Sequence, residues 1–298
     1  MIRVSKSNQN EISKTTGRSG SQEAMTPQQI HVEAMLVIEK GLSSVAWSAL
    51  DFLYAGGIMT VDQLDINLRT LRRYAAKRIV DRYPFSPNVV IDRLGEYGLV
   101  VENGQLYTLG PVGAEIARIR HGIKPPSGYL AYTLERVLHD VIVNEIVQRI
   151  ARQASAHGWE TIWASKYEAT IFREDVSVLE PDTFIRLERD GEEYPFLIEY
   201  HNEDKRTRAI KKVRQYERAW ESDLWQDAWE VEEFPPLLAV FRNSIVHEGY
   251  KDAVLEATPL SCQYYGRTLG GFLTEMDHWY HYNDDSKVQT FPWLREKR

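Results

Sequence analysis

Apolar and polar positions along this chain follow two periods, and the switches between them mark its parts. Residues 1–25 show almost no period and are rich in Ser and polar groups, which predicts a disordered tail. Thr26-Pro27 pairs an N-cap with a proline at the first helical position and opens a helix. Residues 43–55, SSVAWSALDFLYA, keep helical spacing until Gly56-Gly57 stops them. Thr60 caps a short helix through VDQLDINL. Ser86-Pro87 opens NVVIDRLGEYG, where Val90, Leu94 and Tyr97 share a face and Gly98 ends the helix. LVVE, Asn103-Gly104 and QLYTL then predict a β-hairpin, because Asn-Gly takes the left-handed conformations of a tight turn. PVGAEIARIR closes the unit as a helix.

Helices followed by a two-stranded wing over residues 26–123 predict a winged helix-turn-helix. Residues 124–133, with Pro125-Pro126 and Gly128, read as a linker. A second unit, 134–250, starts with one long helix ending at Gly158. Three period-two runs follow, WETIWAS, DTFIRLE and YPFLIEY, the last two joined by an Asp190-Gly191 turn. A helix over 204–220 and an apolar strand, PPLLAVFR, complete it. The predicted fold class is α/β (α+β): a winged helix-turn-helix, then a restriction-endonuclease-like mixed sheet with helices. Residues 251–298 are aromatic-rich and read as a flap packed on the core, with His278 and His281 as a lesser metal-site alternative.

Charge sharpens this picture. The net charge is −7, which argues against a uniformly basic nucleic-acid binder. Residues 69–82 nonetheless carry six basic groups against one acid, whereas residues 124–298 sum to −9. A basic patch on an acidic body points to phosphate contacts by Arg69, Arg72, Arg73, Lys77 and Arg78, joined by Arg93 on the helix expected to enter the groove. The bland alternative is a solvated helix face with Leu71, Ala75 and Ile79 beneath it. The lone Cys262 excludes an intramolecular disulfide, and no run approaches 18 apolar residues, so a cytoplasmic protein without a membrane span is expected.

The candidate chemistry lies in the second unit. Glu145 falls in the middle of the stripe formed by Leu134, Leu138, Val141 and Ile142. A buried carboxylate needs a cation, a metal or a proton; otherwise the helix is buried on several faces and Glu145 reaches a rim. Pro181-Asp182 stands at the mouth of one strand and Glu199 ends the next. This arrangement is similar to the core of the PD-(D/E)xK nuclease superfamily. The resemblance implies Asp182, Glu199 and Glu145 as ligands which, with a strand-end carbonyl, would cage Mg²⁺ or Mn²⁺. His201 stands where that motif has lysine; it is a ligand, a base or a bystander. Lys212 on the following helix is the best replacement lysine, with Lys205 second.

Taken whole, the stretch from about residue 43 to 245 resembles the replication-relaxation family. The residues that carry this are LYTLGPVGAEIA, LHDVIVNEI, PDTFIRL, FLIEYHNED and KKVRQYERAW. The chain departs from the family's Glu-x-Asp at Glu199-Tyr200-His201. The resemblance implies a DNA-binding protein of a plasmid or mobile element, acting in replication, relaxation or DNA processing. Its expected partners are double-stranded DNA, other replication or transfer proteins and a second copy of the chain. A divalent-metal nuclease is one reading; a non-catalytic transcription regulator whose second unit serves assembly is the other. The two differ in whether Glu145, Asp182 and Glu199 converge.

Overall fold

The computed structural model describes residues 25–123, 125, 129–202, 206–256, 262–275, 278–284, 287–289 and 291. Residues 1–24 of the expected tail, part of the linker and Lys205 lie outside the described residues.

The first unit runs α1 (Pro27–Lys40), α2 (Ser44–Gly56), β1 (Ile58–Thr60), α3 (Val61–Leu64), α4 (Leu68–Ala76), β2 (Val80–Arg82), α5 (Pro87–Gly95), β3 (Leu106–Leu109) and α6 (Pro111–His121). Capping sets its helix starts: Thr26 with Gln29 and Thr60 with Gln63 form reciprocal capping boxes. The strands form an antiparallel sheet in the order β1-β3-β2.

The expected hairpin across Asn103-Gly104 does not form, and residues 99–102 are not a strand. The Asp62 carboxylate accepts the backbone N–H groups of Glu102 (2.6 Å) and Asn103 (3.1 Å) and holds the segment open. Gly104 lies so close to α5 that a Cβ there would sit 2.2 Å from the Pro87 carbonyl. The close approach, not a left-handed turn, requires this glycine, since neither Asn103 nor Gly104 has positive φ. β3 instead pairs with β2, and α5 fills the connection between them.

The second unit runs α7 (Leu134–Ala156), β4 (Glu160–Ala164), α8 (Lys166–Ala169), β5 (Ile171–Arg173), β6 (Val176–Leu179), β7 (Thr183–Arg189), β8 (Glu192–His201), α9 (Arg206–Glu221), α10 (Leu224–Trp229), β9 (Leu237–Phe241), α11 (Ser244–Glu256), β10 (Tyr264–Thr268), α12 (Leu269–Thr274), β11 (Trp279–His281) and β12 (Lys287–Gln289). Seven strands form one mixed sheet, β12-β11-β10-β9-β8-β7-β4. β8, β9 and β10 are parallel and the remaining pairs antiparallel. The β7–β8 turn is Asp190-Gly191, both with positive φ, as a tight hairpin demands.

The aromatic C-terminal stretch is no flap. It contributes β10, β11 and β12 to the sheet, and Trp279, Tyr282 and Phe291 are buried. His281 stacks on Tyr265, with ring centroids 4.6 Å apart, and His278 is exposed.

One apolar core covers the α7 face of the sheet, and a second lies under α9, α10 and α11. The first joins Ile58, Tyr83, Val90, Leu94 and Leu106 of the N-terminal unit to Val137, Leu138 and Val141 of α7. Buried amides tie the same junction. Asn144 donates to the carbonyls of Gly56 (3.0 Å) and Ile58 (2.8 Å), Gln148 donates to Gln63 O (2.8 Å), and Gln63 donates to Val141 O (2.8 Å). The two units therefore share a core rather than hanging from a linker.

Candidate functional site

The alternation of β8 places Leu197, Glu199 and His201 toward α9 and α11, and Ile198 and Tyr200 toward α7. Asp182 lies just before β7, whose first residue, Thr183, pairs with Ile198, so its carboxylate sits beside the C-terminal end of β8. Its Oδ2 accepts the Tyr200 backbone N–H at 2.9 Å.

The centre is dense in charge. Glu199, with its side chain 3 % exposed, lies 2.7 Å from Lys212 Nζ and accepts the Tyr216 hydroxyl at 2.5 Å. Lys212 also donates to the Glu180 carbonyl at 3.0 Å. Asp182 Oδ2 is 3.3 Å from His139 Nε2, and its Oδ1 is 3.6 Å from Lys166 Nζ. The other ring nitrogen of His139 faces Asp140 Oδ1 at 3.2 Å. Burial opposes charge on both partners, but the ion pairs prevail. Asp182 is held well below the ordinary carboxylate value by His139, Lys166 and Lys212. His139 is raised to about 10 by Asp182 and Asp140. Burial and the Glu199 carboxylate together push the Tyr216 hydroxyl far up, so it stays a donor. A cleft of about 380 Å³ opens on Asp182, lined also by Asp140, Lys166, Trp163 and Tyr167.

Asp182, Glu199 and Lys212 are thus gathered at one end of the sheet; Glu145 and His201 are not. Glu145 is five residues beyond Asp140, about 140° round α7. Its carboxylate is taken by Arg149 at 2.7 Å and Arg152 at 3.4 Å. α7 is buried on most of its circumference, so the acid on the apolar stripe reaches a rim. His201 is a core residue. Its ring stacks on Phe241 at 5.2 Å and lies 5.0 Å from Tyr250. It points to the same side as Glu199 but one pleat further on, under α11.

These residues do not fit a divalent ion as they stand. Such an ion needs several oxygens free to turn toward it. The Asp182 oxygens and Glu199 Oε1 face internal cations and hydrogen-bond donors instead. Among the described residues no three His, Cys, Asp or Glu side chains come together to hold a metal. His139, Asp140, Lys166 and Tyr216 were not singled out from the sequence. The one local signal was His139-Asp140, a charged pair inside an apolar helix.

The second candidate surface is α4. Leu71 and Tyr74 are buried beneath it, while Arg69, Arg72, Arg73 and, just past its end, Lys77 are exposed. Arg78 is half-buried, with φ 57°. Arg93, on α5, is engaged with Glu96 at 3.5 Å and Glu135 at 3.9 Å. Its charge is thereby offset, whereas α4 presents an exposed basic face. Among the described residues no helix is long and apolar enough to cross a membrane.

No curated protein and no solved structure matches the chain. The family model for replication-relaxation proteins does, over residues 50–232, a span that takes in α4, Asp182, Glu199 and Lys212. With more than half of its length matched, the chain belongs to the replication-relaxation family.

Proposed function

We propose that the chain is a replication or relaxation factor of a plasmid or mobile element that docks on duplex DNA through α4. The observation that carries this reading is the position of the basic run. The order α2, β1, α3, α4, β2 and β3, with α5 inserted between the last two strands, supports reading this unit as a winged helix. On that reading α4 is the helix that enters the major groove. Its buried side is apolar, and its outer side presents Arg69, Arg72 and Arg73. The second unit is a PD-(D/E)xK-like scaffold whose carboxylates are neutralised by the chain's own cations. Strand cleavage through a caged metal is not part of this reading.

Fluorescence anisotropy on a labelled duplex tests it. Arg69, Arg72, Arg73 and Lys77 replaced together by Ala should weaken binding to every sequence. The slope of log K against log salt should flatten by about 0.9 for each phosphate left without its cation, roughly 3–4 in all. An unchanged slope would place DNA elsewhere on the surface.

A further inference from the structure

We infer that the His139 imidazole fills the cation position of the Asp182 centre. This rests on reading the second unit as a PD-(D/E)xK-like scaffold, and it is independent of where DNA docks. His139 Nε2 lies 3.3 Å from Asp182 Oδ2 and 3.1 Å from the Tyr200 carbonyl, which follows Glu199 at the strand end. A carboxylate oxygen and a strand-end carbonyl are the ligands a hard divalent ion would take there. Both acceptors face one ring nitrogen, so that nitrogen carries a proton and donates. Nδ1 faces the Asp140 carboxylate at 3.2 Å, which fixes the ring from its other side. It is held from a third side by Tyr200, whose ring centroid is 5.5 Å away. An ion about 2.1 Å from both oxygens on that side would collide with the ring nitrogen that already stands there. Lys166 Nζ lies 3.6 Å from Asp182 Oδ1, and Lys212 Nζ lies 2.7 Å from Glu199 Oε1. His139 is a positioning residue. It fixes Asp182 against the β8 end and excludes a metal from the pair of oxygens that would hold one.

Mn²⁺ alone, followed by the loss of its free-ion electron paramagnetic resonance signal, tests this on the full chain. Wild type and Asp182→Asn should titrate alike, with only weak surface binding. His139→Ala should bind one further Mn²⁺ per chain, and the gain should vanish in His139→Ala/Asp182→Asn. A merely structural histidine would not confer metal binding when removed. Stoichiometric Mn²⁺ on the wild type that Asp182→Asn abolishes would overturn the inference. So would a folded His139→Ala that gains nothing. Should the alanine variant not fold, His139→Asn keeps a donor toward Asp140 while withdrawing Nε2, and the same two outcomes apply. DNA affinity measured on the same proteins separates this from the docking proposal, which fails only if α4 is dispensable.

Discussion

Lys212→Met isolates the strongest ion pair of the centre. The lysine is partly exposed (side chain 21 %) and its carboxylate partner is not (3 %). Removing the cation leaves Glu199 charged and buried, with the Tyr216 hydroxyl as its remaining donor at 2.5 Å. Breaking a buried pair from one side costs about 3–5 kcal/mol. The reverse cut, Glu199→Gln, leaves Lys212 its bond to Glu180 O and partial access to water, so about 1–2 kcal/mol is expected. In Lys212→Met/Glu199→Gln the stranded charge is gone. The double variant should therefore be more stable than the sum of the singles by roughly 2 kcal/mol, within the range of contacting pairs. Urea unfolding followed by tryptophan fluorescence reads all four corners of the cycle, with the slope m checked for constancy. Additivity within about 0.5 kcal/mol would refute the pairing, because independent sites add to that degree.

Three further outcomes follow from the same structure. His139 and Asp182 give stability opposite pH limits. The raised His139 contributes in full below about 6.5, and that contribution is lost as pH rises through about 10. The depressed Asp182 contributes above about 3.9, and its share is lost as pH falls through its lowered value. The urea midpoint of His139→Gln relative to wild type should thus recover between about pH 7 and 10; a constant offset would mean no ion pair. Asn144→Leu removes two buried hydrogen bonds at the junction of the units, to Gly56 O and Ile58 O, and should cost about 2–4 kcal/mol in urea unfolding; a change under about 0.5 kcal/mol would show the interface to be wet. Gly113→Ala places a Cβ 1.9 Å from the Ile79 carbonyl, so α6 must shift from β2 and the melting temperature should fall; unchanged melting would contradict that approach.

Much of the second unit was legible because its signals are local. Period-two runs and the Asp190-Gly191 turn fix β7 and β8, and the apolar face of α9, with Val213 and Tyr216, brings Lys212 to its margin. Elsewhere a distant partner overrides the local signal. Asn103-Gly104 reads as a turn until Asp62, some forty residues earlier, claims the neighbouring N–H groups. β2 is three residues long and is a strand only because β3 pairs with it. The β5–β6 turn uses Glu174-Asp175, both with positive φ, and carries no glycine to announce it. His139 could not be read locally either, since its partners Asp182 and Tyr200 lie far along the chain. Glu145 could be read either way because an apolar stripe does not say how far round a helix is buried.

Proximity of α4 to DNA is the most direct test of the account. Cys262 is buried and its thiol is pushed well up by burial, so it does not compete with an introduced surface cysteine. Arg72→Cys and Arg93→Cys, each carrying a photocrosslinker, can be irradiated on the same duplex. The account predicts efficient crosslinking from position 72, on exposed α4, and little from position 93, on α5. Strong crosslinking from 93 with none from 72 would contradict it.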